Sequence, residues 1–179
     1  MMPRYRTIII ICLIPWCSFA GEVTKTMALS ASQMPANEAN PPLLNANKAL
    51  IRRFIEEVQN QHQVEAIDEF FAPSFVNHDP LPNLPSTVEG AKQVHRMLFV
   101  AFPDLHMIVH DQAAEGDKVW THKTATGTHR GEFLGIPATG KSIAWKIIDI
   151  MTIQNGKITE HWVVADVMGL MQQLGAVPH

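Results

Sequence analysis

Asn155-Gly156 separates two runs of β-branched and aromatic residues, and no other feature of the chain restricts its fold as much. A two-residue hairpin turn needs positive φ at both central positions, which Asn and Gly tolerate, so this pair joins two antiparallel strands directly. The turn also sets a register in which facing residues have numbers summing to 311. Ile153 then faces Ile158, Met151 faces Glu160, Asp149 faces Trp162, Ile147 faces Val164 and Trp145 faces Asp166. Partners share a face, and this one is large and apolar yet carries three carboxylates, as a pocket wall would. The opposite face, with Lys146, Ile148, Ile150, His161, Val163 and Ala165, is also partly apolar, which suits burial of part of it in a homodimer.

The hairpin belongs to a strand-rich second half. From Leu105 onward β-branched residues dominate, and turn signals at Glu115-Gly116-Asp117, Gly131–Gly140 and Asn155-Gly156 divide them. This predicts four long antiparallel strands near 105–114, 118–129, 141–154 and 157–165. A two-residue loop at Gly116-Asp117 puts Trp120, His122 and Thr124 on one face with Asp111, Val109 and Met107, and a slip of one residue reverses that set. A short helix from Val167 to Leu174 ends at Gly175.

The first half reads as helices. Leu50, Ile51, Phe54, Ile55 and Val58 recur at helical spacing, with Asn45 or Asn47 as the cap. Val64 to Phe71 is a second helix, stopped by Pro73. After a loop with Pro80, Pro82 and Pro85, Ser86-Thr87-Val88-Glu89 forms a capping box that opens a third helix, stopped at Pro103. Helices followed by a twisted antiparallel sheet make an α+β fold, in which the sheet can wrap around the helices and leave a hole between them.

Ahead of the domain, Arg4 and Arg6 precede an apolar run from Ile8 to Trp16, and Ser18-Phe19-Ala20 offers small residues before Gly21. That order reads as a secretory signal peptide over 1–20, against the alternatives of an uncleaved anchor or a lipid on Cys17. Residues 21–44, rich in Ala, Ser, Asn and Pro, read as a flexible linker to a domain over 45–179. Cleavage takes the formal charge from −3 to −5 and removes both cysteines, Cys12 and Cys17. The expectations are a periplasmic or secreted protein with no disulfide, no thiol nucleophile, no nucleic-acid partner and no membrane contact after cleavage. His106, His110 and Asp111 do not make a convincing metal set, because an i, i+4 pair aligns on a helix and not on a strand.

Several segments carry a resemblance. They are Phe75–Pro80, Ala101–Asp104, Glu115–Val119, Thr126–Pro137, Ile148-Asp149-Ile150, Asn155–Ile158, His161–Asp166, Gly169 and Gln172–Gly175. In this order and spacing the chain resembles the SnoaL-like polyketide (ester) cyclase family of the nuclear-transport-factor-2-like superfamily, from about Asn47 to Gly175. The resemblance implies a cone-shaped barrel: three N-terminal helices packed in a curved antiparallel sheet of four or more strands, a short C-terminal helix and a deep pocket. It implies cyclisation without metal or cofactor, in which a carboxylate removes a proton next to a carbonyl. It also implies a pocket-lining role for Asn77. The family's pocket histidine falls at Asp149, however, and its catalytic aspartate falls at Val163, so the mechanism is not inherited intact.

Asp149, His122 and Asp166 are therefore the candidate catalytic residues. Asp149 in an apolar strand reads as a base whose affinity for protons burial raises, or as a structural acid paired with His122 or a backbone N–H. His122 reads as a group that orients a substrate oxygen, or as a partly exposed strand residue. Asp166 reads as a pocket acid or as the N-cap of the last helix. Asn77, His78, Trp120, Trp145, Ile147, Glu160, Trp162 and Val164 are the candidate substrate-binding residues. The expected ligand is a small hydrophobic carbonyl compound. The chain is expected either to transform it by general-base chemistry or to hold it as a non-catalytic periplasmic binding module.

Overall fold

The computed structural model describes residues 40–178, so the expected leader and linker residues 21–39 lie outside the described residues. The first helix, α1 (Pro41–Phe54), begins earlier than expected. Asn40 is its cap, accepting the Leu43 N–H at 3.4 Å, and the two prolines that follow lack the N–H groups a first turn leaves unpaired. Asn47, an expected cap, is buried inside the helix, and 41–44 form its first turn instead of linker. A π-helical segment, Ile55–Asn60, continues α1, and its wider turn buries Val58 and Gln59 side by side.

The expected second helix stands within a residue of its read bounds, as a 3-10 turn followed by one α-turn. A 3-10 turn (Val64–Ala66) leads into one α-turn, α2 (Ile67–Phe70), and the chain then enters a strand, β1 (Phe71–Asn77). Pro73 therefore does not stop a helix. It lies in an edge strand, where its missing N–H costs no ladder bond. The third helix, α3 (Val88–Ala101), starts after Thr87, but the capping box does not close: Glu89 bonds Gln93 and Arg96 instead. Gly90 is needed because a Cβ there would lie 1.8 Å from the Pro85 carbonyl oxygen.

The strands β2 (His106–Glu115), β3 (Lys118–Thr128), β4 (Ser142–Gln154) and β5 (Lys157–Ala165), then α4 (Val167–Leu174), follow the expected spans within a residue or two. The sheet runs β1-β5-β4-β3-β2; β1 is parallel to β5 and every other pair is antiparallel. The fold is thus α+β with a mixed five-stranded sheet, within the four or more strands that the resemblance implied, and β1 adds a parallel edge to the four antiparallel strands. Asn155 (φ 52°) and Gly156 (φ 72°) form the expected turn.

The register that the turn starts does not survive two residues. Ile153 faces Ile158, but Thr152 faces Glu160, so Thr159 is an extra residue and its hydroxyl bonds the Thr152 carbonyl. Beyond this bulge every β5 residue changes face. Asp149 faces Val163 and not Trp162, and Met151 faces His161. A second bulge at His110 breaks the β2–β3 hairpin: Asp111 faces His122 as expected, whereas Val109 faces Lys123. The inner face of β3 is Val119, Thr121, Lys123 and Ala125, opposite to the expected set. The core lies between this concave face and the helices, with Phe54, Phe70, Phe102 and Ile158 fully buried.

Candidate functional site

A cavity of about 230 Å³ opens between the sheet and the helices α1 and α3. Its wall is mainly apolar, with Phe71, Phe75, Leu98, Trp145 and Ile147 among the lining residues. One chain of polar groups crosses it. Asp149 on β4, 3% exposed, forms an ion pair through Oδ2 with Lys123 on β3. Its Oδ1 meets His161 Nε2 on β5 at 3.1 Å. His161 Nδ1 lies 3.2 Å from Asn77 Oδ1 at the end of β1, and that oxygen also accepts the Asp79 N–H. On the other side Lys123 donates to Gln59 Oε1 at 3.0 Å, Gln59 Nε2 meets His95 Nε2 at 3.3 Å, and His95 Nδ1–H donates to the Ala91 carbonyl at 2.8 Å. The π-helical segment brings Gln59 to the chain, and helix α3 brings His95.

The electrostatics differ from the expectation for Asp149. Burial by itself raises its carboxyl, but the Lys123 ammonium and the His161 hydrogen bond outweigh burial and hold it well below the usual carboxylate range. Asp149 is therefore ionised at any moderate pH. His95 has no such partner, and burial pushes it down to about 4. Its neutral ring fits its contacts: Nδ1 carries the proton for Ala91, and Nε2 accepts from Gln59.

The structure brings four of the expected residues to the cavity: Asp149, Asn77, Trp145 and Ile147. The others lie elsewhere. His122 sits on the outer face, 3.3 Å from Asp111 and beside His110. Trp120 shares that face, and the β2–β3 register accounts for both. The bulge at Thr159 turns Glu160, Trp162 and Val164 outward; Val164 is 70% exposed. Trp162 stacks on His78 with centroids 4.2 Å apart, and His78 Nε2 bonds Glu160 at 2.9 Å, so these three form an outer cluster. Asp166 caps α4, accepting the Gly169 N–H at 2.9 Å. The sequence reading missed Lys123, Gln59 and His95 and put His161 on the wrong face. Thr121 and Lys123 alternate with Trp120 and His122, and inward alternation is the one signal that could have found Lys123. Among the described residues no group of three His, Cys, Asp or Glu is placed to hold a metal ion.

The family model described as SnoaL-like polyketide cyclase matches residues 49–174. The aklanonic acid methyl ester cyclase DnrD of Streptomyces peucetius is 27% identical over 70% of this chain and 88% of its own. Among solved structures, AclR of Streptomyces galilaeus, described as a proposed hydroxylase, superposes with a TM-score of 0.69 at 28% identity, covering 76% of this chain and 85% of its own. A proposed polyketide cyclase from Acidithiobacillus ferrooxidans gives 0.65 at 31% identity, covering 73% and 95%.

Proposed function

For a chain that belongs to the SnoaL-like polyketide cyclase family, we propose acid–base chemistry on a small, largely apolar carbonyl compound held in the cavity between sheet and helices. The observation that carries this reading is the His161–Asp149 hydrogen bond at the wall of an apolar cavity, beside the Lys123 ammonium. Asp149 and His161 share a hydrogen bond, and as one unit they accept the proton next to the substrate carbonyl. Lys123 spends two of its three N–H groups on Gln59 and Asp149, and the third is available to the oxygen on which enolate charge develops. Collapse of the enolate onto a second carbonyl closes a ring; reprotonation at another carbon isomerises the substrate. The methyl ester in the name of the Streptomyces peucetius relative suggests an ester or ketone as the substrate class.

The family resemblance implied a histidine on the third long strand and an aspartate on the last. Here the carboxylate stands on β4 and the imidazole on β5. Asp149 orients and stabilises, and the His161 ring is the more adaptable proton carrier. The reading extends to an exported protein, released by cleavage before Gly21, and to a homodimer paired through the outer sheet face, where Ile148 and Val164 are exposed.

Deuterium exchange tests the chemistry without knowledge of the natural substrate. α-Tetralone, a bicyclic ketone with acidic protons beside its carbonyl, should gain deuterium from heavy water faster with the protein than without it. General-base catalysis contributes about 10²–10⁴-fold, so Asp149→Asn should remove nearly all of the protein-dependent exchange. Binding of α-tetralone with no exchange above buffer would instead favour a non-catalytic binding module.

A further inference from the structure

The connection between β3 and β4 is held firmly at its base and strained at its tip. At the base, His129 is fully buried; its N–H donates to the Lys141 carbonyl and its own carbonyl accepts the Gly140 N–H, each at 2.9 Å. Gly131 lies so close to the end of α3 that a Cβ there would stand 2.3 Å from the Val100 carbonyl oxygen. At the tip, Phe133 and Ile136 exchange both backbone hydrogen bonds, at 3.0 and 2.9 Å, and close a two-residue turn. Such a turn needs positive φ at both central positions, which suits Asn-Gly. Here the central residues are Leu134 (φ 49°) and Gly135 (φ 80°). The left-handed region sets a Cβ against the following carbonyl, so Leu134 is strained where a glycine would not be. Packing offsets only part of this strain, because Leu134 is 45% exposed. Leu134 nonetheless lines the cavity, and Phe133 beside it is buried against Phe102. Leu81 and Val167 line the cavity too, and Val167 is 51% exposed, so these three residues mark an apolar mouth.

The geometry points to Leu134 as a clamp on the outer end of the ligand, which makes the substrate a carbonyl compound with an alkyl or aryl tail that reaches the mouth. The inference rests on the proposed function for the polar end. With the carbonyl at Lys123 and Asp149, the tail runs along the apolar wall to Leu134, Leu81 and Val167. A tail lying there covers the exposed part of Leu134 and leaves water itself, a gain that grows with each methylene until the chain emerges. The strain that local packing leaves uncompensated is then offset by the contact it places. A leucine on a relaxed loop would lose conformational freedom on binding, whereas a closed turn on a fixed base has lost it already.

A series of alkyl phenyl ketones from acetophenone to octanophenone tests this with the full chain. Affinity should rise by about threefold for each added methylene that lies within the mouth, and then level off. Leu134→Ala and Leu134→Gly both remove the clamp, so in each the total rise across the series should shrink by about tenfold. The two variants separate contact from strain. In urea, Leu134→Gly should have an unfolding constant about fivefold lower than Leu134→Ala, because only alanine keeps a Cβ in the left-handed region. On the wild type, a nuclear Overhauser effect should connect the terminal methyl of octanophenone with the Leu134 methyls, which decides the matter even if a variant does not fold. A rise unchanged by both substitutions, a terminal methyl without contact to Leu134, equal stability of the two variants, or no binding of any ketone overturns the inference. Exchange of α-tetralone by the wild type with an unchanged rise would leave the proposed function standing and remove only the clamp; a rise that shrinks as expected, without exchange, would do the reverse.

Discussion

His95 makes the stability of this protein depend on pH between about 4 and 6.5. Its ring is buried, donates to the Ala91 carbonyl and accepts from Gln59. Protonation puts an N–H of His95 against the N–H of Gln59 and adds a positive charge near Lys123 and His161. Burial, with those charges, lowers the folded ring from 6.5 to about 4. The folded state then binds fewer protons than the unfolded state between these values, so this stabilisation is full above about pH 6.5 and is lost as pH falls toward 4. Integrating between pH 7 and pH 5 gives a loss of about 2 kcal/mol from this one group. Asp149 and Asp104, both lowered, act at lower pH, because a carboxylate held below its ordinary value keeps its stabilisation until pH falls beneath that value. Urea unfolding at pH 7, 6 and 5 measures the effect. His95→Gln stays uncharged and can still bond Gln59, so its loss over the same interval should be smaller than that of the wild type by about 2 kcal/mol. Equal losses in the two proteins would show that His95 does not gain its proton on unfolding, and the reasoning would fail.

Lys123→Met removes one half of a buried ion pair and leaves Asp149 uncompensated, so it should destabilise the fold by about 3–5 kcal/mol in chemical denaturation. Asp166→Asn should leave stability nearly unchanged and Asp166→Ala should cost about 1 kcal/mol, because the residue acts as a helix cap; an equal cost for both would point to another role. Expression in a Gram-negative host should yield a mature protein beginning at Gly21, and an intact-mass spectrum of the full chain or of a lipid on Cys17 would refute this. Val164→Asp places a charge on the outer sheet face and should convert a dimer to a monomer in light scattering, with the α-tetralone exchange unchanged in direction.

The parts of the fold carried by local chemistry were legible in the sequence. Asn155-Gly156, the β-branched runs and Gly175 each act through backbone preference within a few residues, and strands β2 to β5 and helix α4 stand where these signals put them. What was not legible depends on tertiary pairing. The strand β1 forms because β5 offers a parallel edge to the residues just past the helical period of Val64 to Phe71. Neither bulge has a glycine or proline to announce it. Thr159 and His110 look like ordinary strand residues and are held in place by the hydrogen bonds of their side chains to Thr152 and Thr124. Each bulge reverses a parity, which is why Asp149, Trp145 and Ile147 on β4 were read correctly while Trp162, Glu160, Val164, Trp120 and His122 on its neighbours were not. Gln59 and His95 escaped notice for another reason: a polar residue on an amphipathic helix carries no sequence mark of the cavity it borders.

The single extra residue at Thr159 also says something about how such a cavity can change its chemistry. Strand β5 carries two complete sets of side chains, His161, Val163 and Ala165 in one phase and Glu160, Trp162 and Val164 in the other. Loss of one residue near the turn would exchange the sets in one step, withdrawing the imidazole and presenting an indole and a carboxylate. No series of point substitutions reaches that arrangement without passing through a mixed wall. An insertion or deletion at the hairpin is therefore a short route from one cavity chemistry to another on the same scaffold.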